Sequence, residues 1–107
     1  MENGRKHIRF YPEPLEIALV SARKSDYDQF KKSEEYHFQA EFIGLIENMS
    51  HTGCSLVFIE EETRGTMLAK DTLCVIKLGK LDPLRGKVVW RQKIDTRIIK
   101  VGLDILD

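Results

Sequence analysis

The N-terminal part of this sequence contains two arginines, Arg5 and Arg9, separated by three residues, whose side chains are suited to binding anions. A guanidinium group pairs in a bidentate manner with phosphate oxygens, and also with the O6 and N7 atoms of guanine. A spacing of four places both side chains on one side of either an extended or a helical segment. Taken alone, the pair is either a solvated basic terminus, the commonest fate of terminal charges, or an anion-binding site to which Lys6 and Arg91 are weaker candidate contributors.

A second polar group lies at residues 48–53, whose sequence is Asn-Met-Ser-His-Thr-Gly, between the apolar runs 42–46 and 56–59. Asparagine and serine side chains hydrogen-bond to nearby backbone, and glycine adopts φ > 0 without steric cost. We predict a tight connection between two strands that presents Asn48 and Ser50 as polar groups and bends at Gly53.

Together, the two groups resemble the paired motifs R-x-x-x-R and [D/N]-x-S-x-x-G of the PilZ domain, the bacterial receptor module for cyclic di-GMP. Arg5 and Arg9 match the first motif, and they precede Asn48, Ser50 and Gly53, which match the second. The segments 86–90 (Gly-Lys-Val-Val-Trp) and 101–103 (Val-Gly-Leu) are also similar to the family. The resemblance thus covers residues 5–105, apart from a polar stretch at 22–36 that looks like an insertion.

The resemblance implies a ligand, cyclic di-GMP, and roles for the matching residues. Asn48 and Ser50 would hydrogen-bond the guanine and a neighbouring phosphate, and Gly53 would let the backbone bend beside the ligand. Trp90 would stack on a guanine base, and the alternative for this residue is core packing beside Val88. The N-terminal arm would order on ligand binding, and that step would be the signalling switch.

Hydrophobic periodicity places these residues on a small all-β domain. We predict strands at about 15–20, 37–47, 54–59, 72–78, 84–91 and 98–105, with a bulge near Gly44 and with Val88 and Trp90 on one face. The insertion holds either a short helix, with Ser25 and Asp28 as a capping box and Tyr27 and Phe30 on one face, or a mobile loop. The expected fold is one six-stranded antiparallel β-barrel of the PilZ-like split-barrel type with little helix: a single domain, 1–107, with a flexible arm at 1–13 and the barrel at 14–107.

Composition excludes several classes of protein. Lys and Arg total 17, as do Asp and Glu, so the formal net charge is zero and a general nucleic-acid binder is not expected. Cys54 and Cys74 lie in apolar runs and are predicted to be buried free thiols, without spacing for zinc. No apolar run reaches membrane-spanning length and the N-terminus lacks a signal-peptide core, so we expect a cytoplasmic protein that does not insert into membranes. His51 beside Ser50 lacks a nucleophile elbow and an orienting acid, so we do not expect an enzyme.

The sequence therefore predicts a cyclic di-GMP receptor that needs no cofactor and signals to a downstream protein partner or through a homodimer. One alternative is a PilZ-like protein–protein adaptor that binds no nucleotide. Another is a generic small barrel that binds single-stranded RNA, against which the neutral charge balance argues.

Overall fold

The computed structural model describes residues 16–30, 38–59 and 68–106. The predictions for the arm at 1–13, including Arg5, Lys6 and Arg9, lie outside these residues. The described chain has no helix that is both long and apolar enough to cross a membrane. The elements follow the order β1 (Ile17–Ser21), α1 (Lys24–Asp28), β2 (Phe42–Met49), β3 (Gly53–Ile59), β4 (Leu73–Leu78), β5 (Leu84–Asp95) and β6 (Ile98–Ile105).

The six strands form one closed antiparallel barrel, which confirms the predicted fold class. The strands follow each other round the ring in the order β1-β2-β3-β6-β5-β4, and β4 pairs back with β1. Strand β1 turns its smaller side chains, Ala18 and Val20, into the interior, while Ile17 is exposed. A ring of only six strands encloses a narrow space, so small residues on one strand make room for larger ones opposite. The core is made of Ala18, Val20, Ile46, Cys54, Leu56, Phe58, Leu68, Cys74, Ile76, Leu78, Val88, Ile99, Val101 and Leu103.

Strand β2 contains a bulge, but not at Gly44 as predicted. The register shifts between Ile46 and Asn48, so Glu47 is the extra residue, whereas Gly44 pairs regularly with Ala18. A Cβ at Gly44 would lie 2.7 Å from the Phe58 ring, so the glycine makes room for that ring. The alternation of apolar residues is interrupted at Gly44 because glycine has no side chain, and not because the strand pairing is broken there.

Strand β5 is longer than predicted, and its pairing with β6 shifts register twice. The first shift, between Val88 and Trp90, makes Val89 the extra residue, and the second lies between Lys93 and Asp95. Val88 is fully buried, whereas Trp90 is 41% exposed. The prediction that these two side chains share a face is therefore wrong, because the bulge reverses the alternation. Strand β6 has the predicted bounds and buries Ile99 and Leu103.

The described part of the insertion holds a short helix, α1, which decides between the two alternatives in favour of the helix. The capping box predicted from Ser25 and Asp28 is wrong, because the N-cap residue is Arg23 and it makes no side-chain cap. Instead, the hydroxyl of Ser21 donates to the carboxylate of Asp26 at 2.5 Å. The helix is thus tied to the end of β1 by a side-chain hydrogen bond.

Tyr27 and Phe30 do not share a face of the helix as predicted, because the helix ends at Asp28, but both rings contact the same arginine. The guanidinium carbon of Arg85, on β5, lies 5.5 Å from the centroid of the Tyr27 ring and 5.4 Å from that of Phe30. Cation–π attraction operates within about 6 Å of a ring centroid. One arginine therefore fastens the insertion to the barrel wall.

The two cysteines are free and buried, as predicted. Burial raises the pKa of the Cys54 thiol to about 12, and burial together with the nearby Cys54 raises the pKa of Cys74 to about 12. The Cys74 thiol donates to the carbonyl of Gly86 at 3.6 Å. Both groups are therefore protonated and unreactive at neutral pH.

Candidate ligand site

A tight connection joins β2 and β3, as predicted, but it is shorter than the predicted 48–53, because Asn48 and Met49 belong to β2 and Gly53 begins β3. The N–H of Ser50 donates to the carbonyl of Gly53 at 2.8 Å. The Ser50 hydroxyl oxygen accepts from the N–H of Thr52 at 3.4 Å, and the residues between the strands are exposed. Ser50 thus closes the turn with its backbone and its side chain, and the polar tip faces solvent.

Gly53 is required by a close approach of β6 and not by a left-handed backbone. A Cβ at this position would lie 2.5 Å from the carbonyl oxygen of Leu103. Among the described glycines only Gly79 has a positive φ, of 58°. The neighbouring carbonyl of Thr52 accepts from the N–H of Ile105 at 2.9 Å. The turn is therefore held directly against the last strand.

Four residues on four adjacent strands form a line across the outside of the barrel, here called the outer row: Asn48, Ser55, Gly102 and Trp90. Asn48 pairs with Ser55, Ser55 with Gly102, and Gly102 with Trp90. Directly paired residues of antiparallel strands share a face. On β3 and β6 the neighbours of the row residues point inward, as the buried Cys54, Leu56, Val101 and Leu103 do. Strand pairing thus brings Asn48 and Trp90 to the two ends of one row.

Trp90 packs on the outer row and not in the core. A side chain at Gly102 would overlap the indole ring, so the ring lies directly over this glycine. The residue is nevertheless 41% exposed. Core packing beside Val88, one of the two alternatives for Trp90, is wrong. The indole combines a supported position with a surface open to solvent, as a stacking platform requires.

A polar network around Ser55, on the outer face of the barrel, was not predicted. The Ser55 hydroxyl donates to Oε1 of Glu47 at 2.8 Å, and Nζ of Lys100 lies 2.7 Å from Oε2 of the same carboxylate. The β2 bulge places Glu47 on the outer face beside Asn48, where it joins β3 to β6. A signal was present, since Ser55 is a polar residue within a strand otherwise read as apolar on both faces.

The structure does not bring every candidate to the row. Arg91 pairs with Val101, a buried residue, and therefore lies on the opposite face of β5 from Trp90. Arg5, Lys6 and Arg9 lie outside the described residues. Within residues 16–30, 38–59 and 68–106, no three His, Cys, Asp or Glu side chains are grouped to hold a metal ion.

The point where the described chain begins lies close to the row. The N–H of Ile46 donates to the carbonyl of Glu16 at 3.0 Å, and Ile46 is two residues from Asn48. Arg9 precedes Glu16 by seven residues, which span at most about 25 Å when extended. Arg9 is therefore within chain reach of the outer row.

Comparison of the chain with models of known families, with curated proteins and with solved structures finds no match.

Proposed function

We propose that the chain is a PilZ-like receptor for cyclic di-GMP, which lies along the outer row between Trp90 and Asn48. The observation that carries the proposal is the position of the exposed Trp90 ring on the same face and row as the first residue of the 48–53 motif. The row crosses three inter-strand spacings, about 14 Å in all. Contacts at its two ends therefore reach different parts of one dinucleotide and not a single base.

The outer row itself does not neutralise the phosphate charges of the ligand. Lys100, the cation beside the row, is already paired with Glu47, and the chain has no net positive charge. In this proposal Arg5 and Arg9 bind the phosphates. Hydrogen bonds to charged groups contribute about 1.5–3 kcal/mol each. Two arginines thus supply roughly half of the 8 kcal/mol that a micromolar affinity represents.

In this proposal the protein signals through a ligand-dependent change in the surface that it presents to a partner. Ligand binding orders the arm at 1–13 over the row, and a downstream protein recognises the new surface. The proposed setting is the bacterial cytoplasm, where the ligand class of the PilZ family is made and used.

A thermal-shift comparison of cyclic di-GMP, cyclic di-AMP and GTP tests the proposal. A ligand that binds only the native state raises the melting temperature, so cyclic di-GMP should raise it and the other two should not. The Trp90→Ala variant should show a smaller shift at the same ligand concentration. No shift of the wild-type protein with cyclic di-GMP would refute the proposal, and equal shifts with all three nucleotides would contradict guanine recognition.

A second candidate is an adaptor of the same fold that binds no nucleotide. The observation in its favour is the Lys100–Glu47 pair, which neutralises the cation beside the row. The same comparison separates the two, because an adaptor melts at one temperature with and without nucleotide.

A further inference from the structure

The outer wall of the barrel also carries a continuous apolar surface, here called the apolar face. Ile17 pairs with Leu45 and Leu45 with Val57, while Ile59 pairs with Ile98. Ile43 and Ile59 lie two residues further along β2 and β3, on the same side of the sheet. These pairings join four neighbouring strands into one surface whose members are Ile17, Ile43, Leu45, Val57, Ile59 and Ile98.

The apolar face is strongly exposed and uncharged. Ile43 is 66% exposed and Ile59 is 69% exposed. Five of the ten exposed large apolar residues in the described chain belong to this face. The groove between them has a volume of about 380 Å³, and none of its lining residues is ionisable. Exposed apolar residues that adjoin in one patch, unlike singly scattered ones, indicate an interaction site.

The closed barrel restricts how a partner can bind. The described strands that carry the apolar face, β1, β2, β3 and β6, each have a neighbour on both sides, so none of the four offers a free edge to which a partner could add. A partner of the apolar face must therefore stack on it from outside, at about the 10 Å separation of packed sheets.

We propose that the occupant of the apolar face is a second copy of this chain, in a two-fold symmetric dimer. An uncharged face is complementary to itself, as a two-fold interface requires. The formal net charge of zero removes the overall repulsion that keeps highly charged proteins apart. A face built from six side chains corresponds to the smaller, reversible class of interfaces. The dimer forms and dissociates in the micromolar range.

This dimer does not depend on the proposed nucleotide. The apolar face and the outer row share strands β2, β3 and β6 but have no residue in common. Loss of cyclic di-GMP binding in a Trp90 variant would leave self-association unchanged, so failure of one proposal is distinguishable from failure of the other.

Sedimentation velocity of the purified full chain, from low to high micromolar concentration, tests the dimer. Ile43→Lys and Ile59→Lys should each raise the dimer dissociation constant at least about tenfold. The matched control is Leu73→Lys, because Leu73 is 43% exposed but lies on β4, which pairs with neither β2 nor β3 and carries no residue of the apolar face. It should dimerise like the wild type. Circular dichroism and melting of each variant show that it is folded.

Three results would overturn the proposal. The first is a wild-type protein that sediments as a monomer at every concentration. The second is a dimer that persists unchanged in the folded Ile43→Lys and Ile59→Lys variants. The third is a monomer that binds phosphatidylcholine vesicles through these isoleucines, which would assign the apolar face to a lipid surface.

Discussion

Substitution of Gly102 by alanine tests the contact on which the outer row depends. A methyl group at this position overlaps the indole of Trp90. The tryptophan is the mobile partner, because it lies at the surface and is 41% exposed, whereas β6 is held between β3 and β5. We therefore expect the ring to leave its place over β6 while the barrel stays folded.

The size of the effect follows from the covered part of the ring. More than half of the Trp90 side chain is covered, which corresponds to about 100 Å² of mainly apolar surface. At about 25 cal/mol per Å², full exposure would cost about 2.5 kcal/mol. Only the part that faces Gly102 is lost, so the free energy of unfolding should fall by about 1–2 kcal/mol. For a domain of this size each kcal/mol lowers the melting temperature by about 4–8 °C.

Fluorescence is the direct assay, because Trp90 is the single tryptophan of the chain. The emission maximum of native Gly102→Ala should move to longer wavelength as the indole becomes more hydrated. Gly86→Ala is the matched control, since a Cβ there lies 3.2 Å from its nearest neighbour, the carbonyl oxygen of Asp104, and does not reach the indole. Identical native emission in wild type, Gly86→Ala and Gly102→Ala would refute the packing of Trp90 on β6. If the proposed function holds, Gly102→Ala also weakens cyclic di-GMP binding about 5- to 150-fold, the equivalent of about 1–3 kcal/mol of stacking.

Two further predictions concern stability. Glu47→Ala should lower the free energy of unfolding by about 1–3 kcal/mol in urea titrations, because Ser55 is only 6% exposed and its hydroxyl loses its acceptor. The control variant, Lys24→Ala, breaks an exposed ion pair and should lower the free energy of unfolding by about 0.5 kcal/mol or less. Equal losses in the two variants would contradict this account. Cys54 and Cys74 should resist thiol reagents until the protein unfolds, and rapid labelling of the native state would contradict their burial. Burial raises the pKa of both thiols in the folded protein from the ordinary 9.0 to about 12, so their contribution to stability is complete below pH 9 and is lost as the pH rises toward 12. A variant with both cysteines replaced by alanine should lack this component of the pH dependence.

The parts of the fold that sequence reasoning predicted are those with uninterrupted alternation. Strand β6 has the predicted bounds because Ile99, Val101 and Leu103 alternate with outward residues and no extra residue intervenes. The turn after Asn48 was also predictable, since its polar residues act on backbone within a few positions. Interactions between residues close in the sequence were enough to predict both the strand and the turn.

The bulges in β2 and β5 were not predictable in the same way. Alternation reports the face of a residue only while each residue has one partner, and an extra residue such as Glu47 or Val89 reverses it. Whether a residue is extra depends on the partner strand, and the partner of Trp90 is Gly102, in a different strand. The assignment of Trp90 to the face of Val88 failed for this reason.

In the candidate site, too, the features set by neighbouring residues were predictable and those set by long-range pairing were not. The polar turn was found from consecutive residues, whereas the network of Glu47, Ser55 and Lys100 joins three strands and has no local pattern. The separation of Arg91 from Trp90, by contrast, follows from ordinary alternation, because consecutive residues of a strand point to opposite faces. Long-range pairing, and not residue type, decides which polar groups share the outer face.

Isothermal titration calorimetry of cyclic di-GMP is the most direct measurement of the central claim. Wild-type protein should bind with a dissociation constant near or below the micromolar range, and Arg5→Ala and Arg9→Ala should each weaken binding at least about tenfold, or about 1.4 kcal/mol. Arg97→Ala, an exposed arginine in the turn between β5 and β6, should bind like the wild type. Absence of heat with the wild-type protein, or equal affinity in all four proteins, would contradict the claim that this chain recognises cyclic di-GMP through its arginine pair.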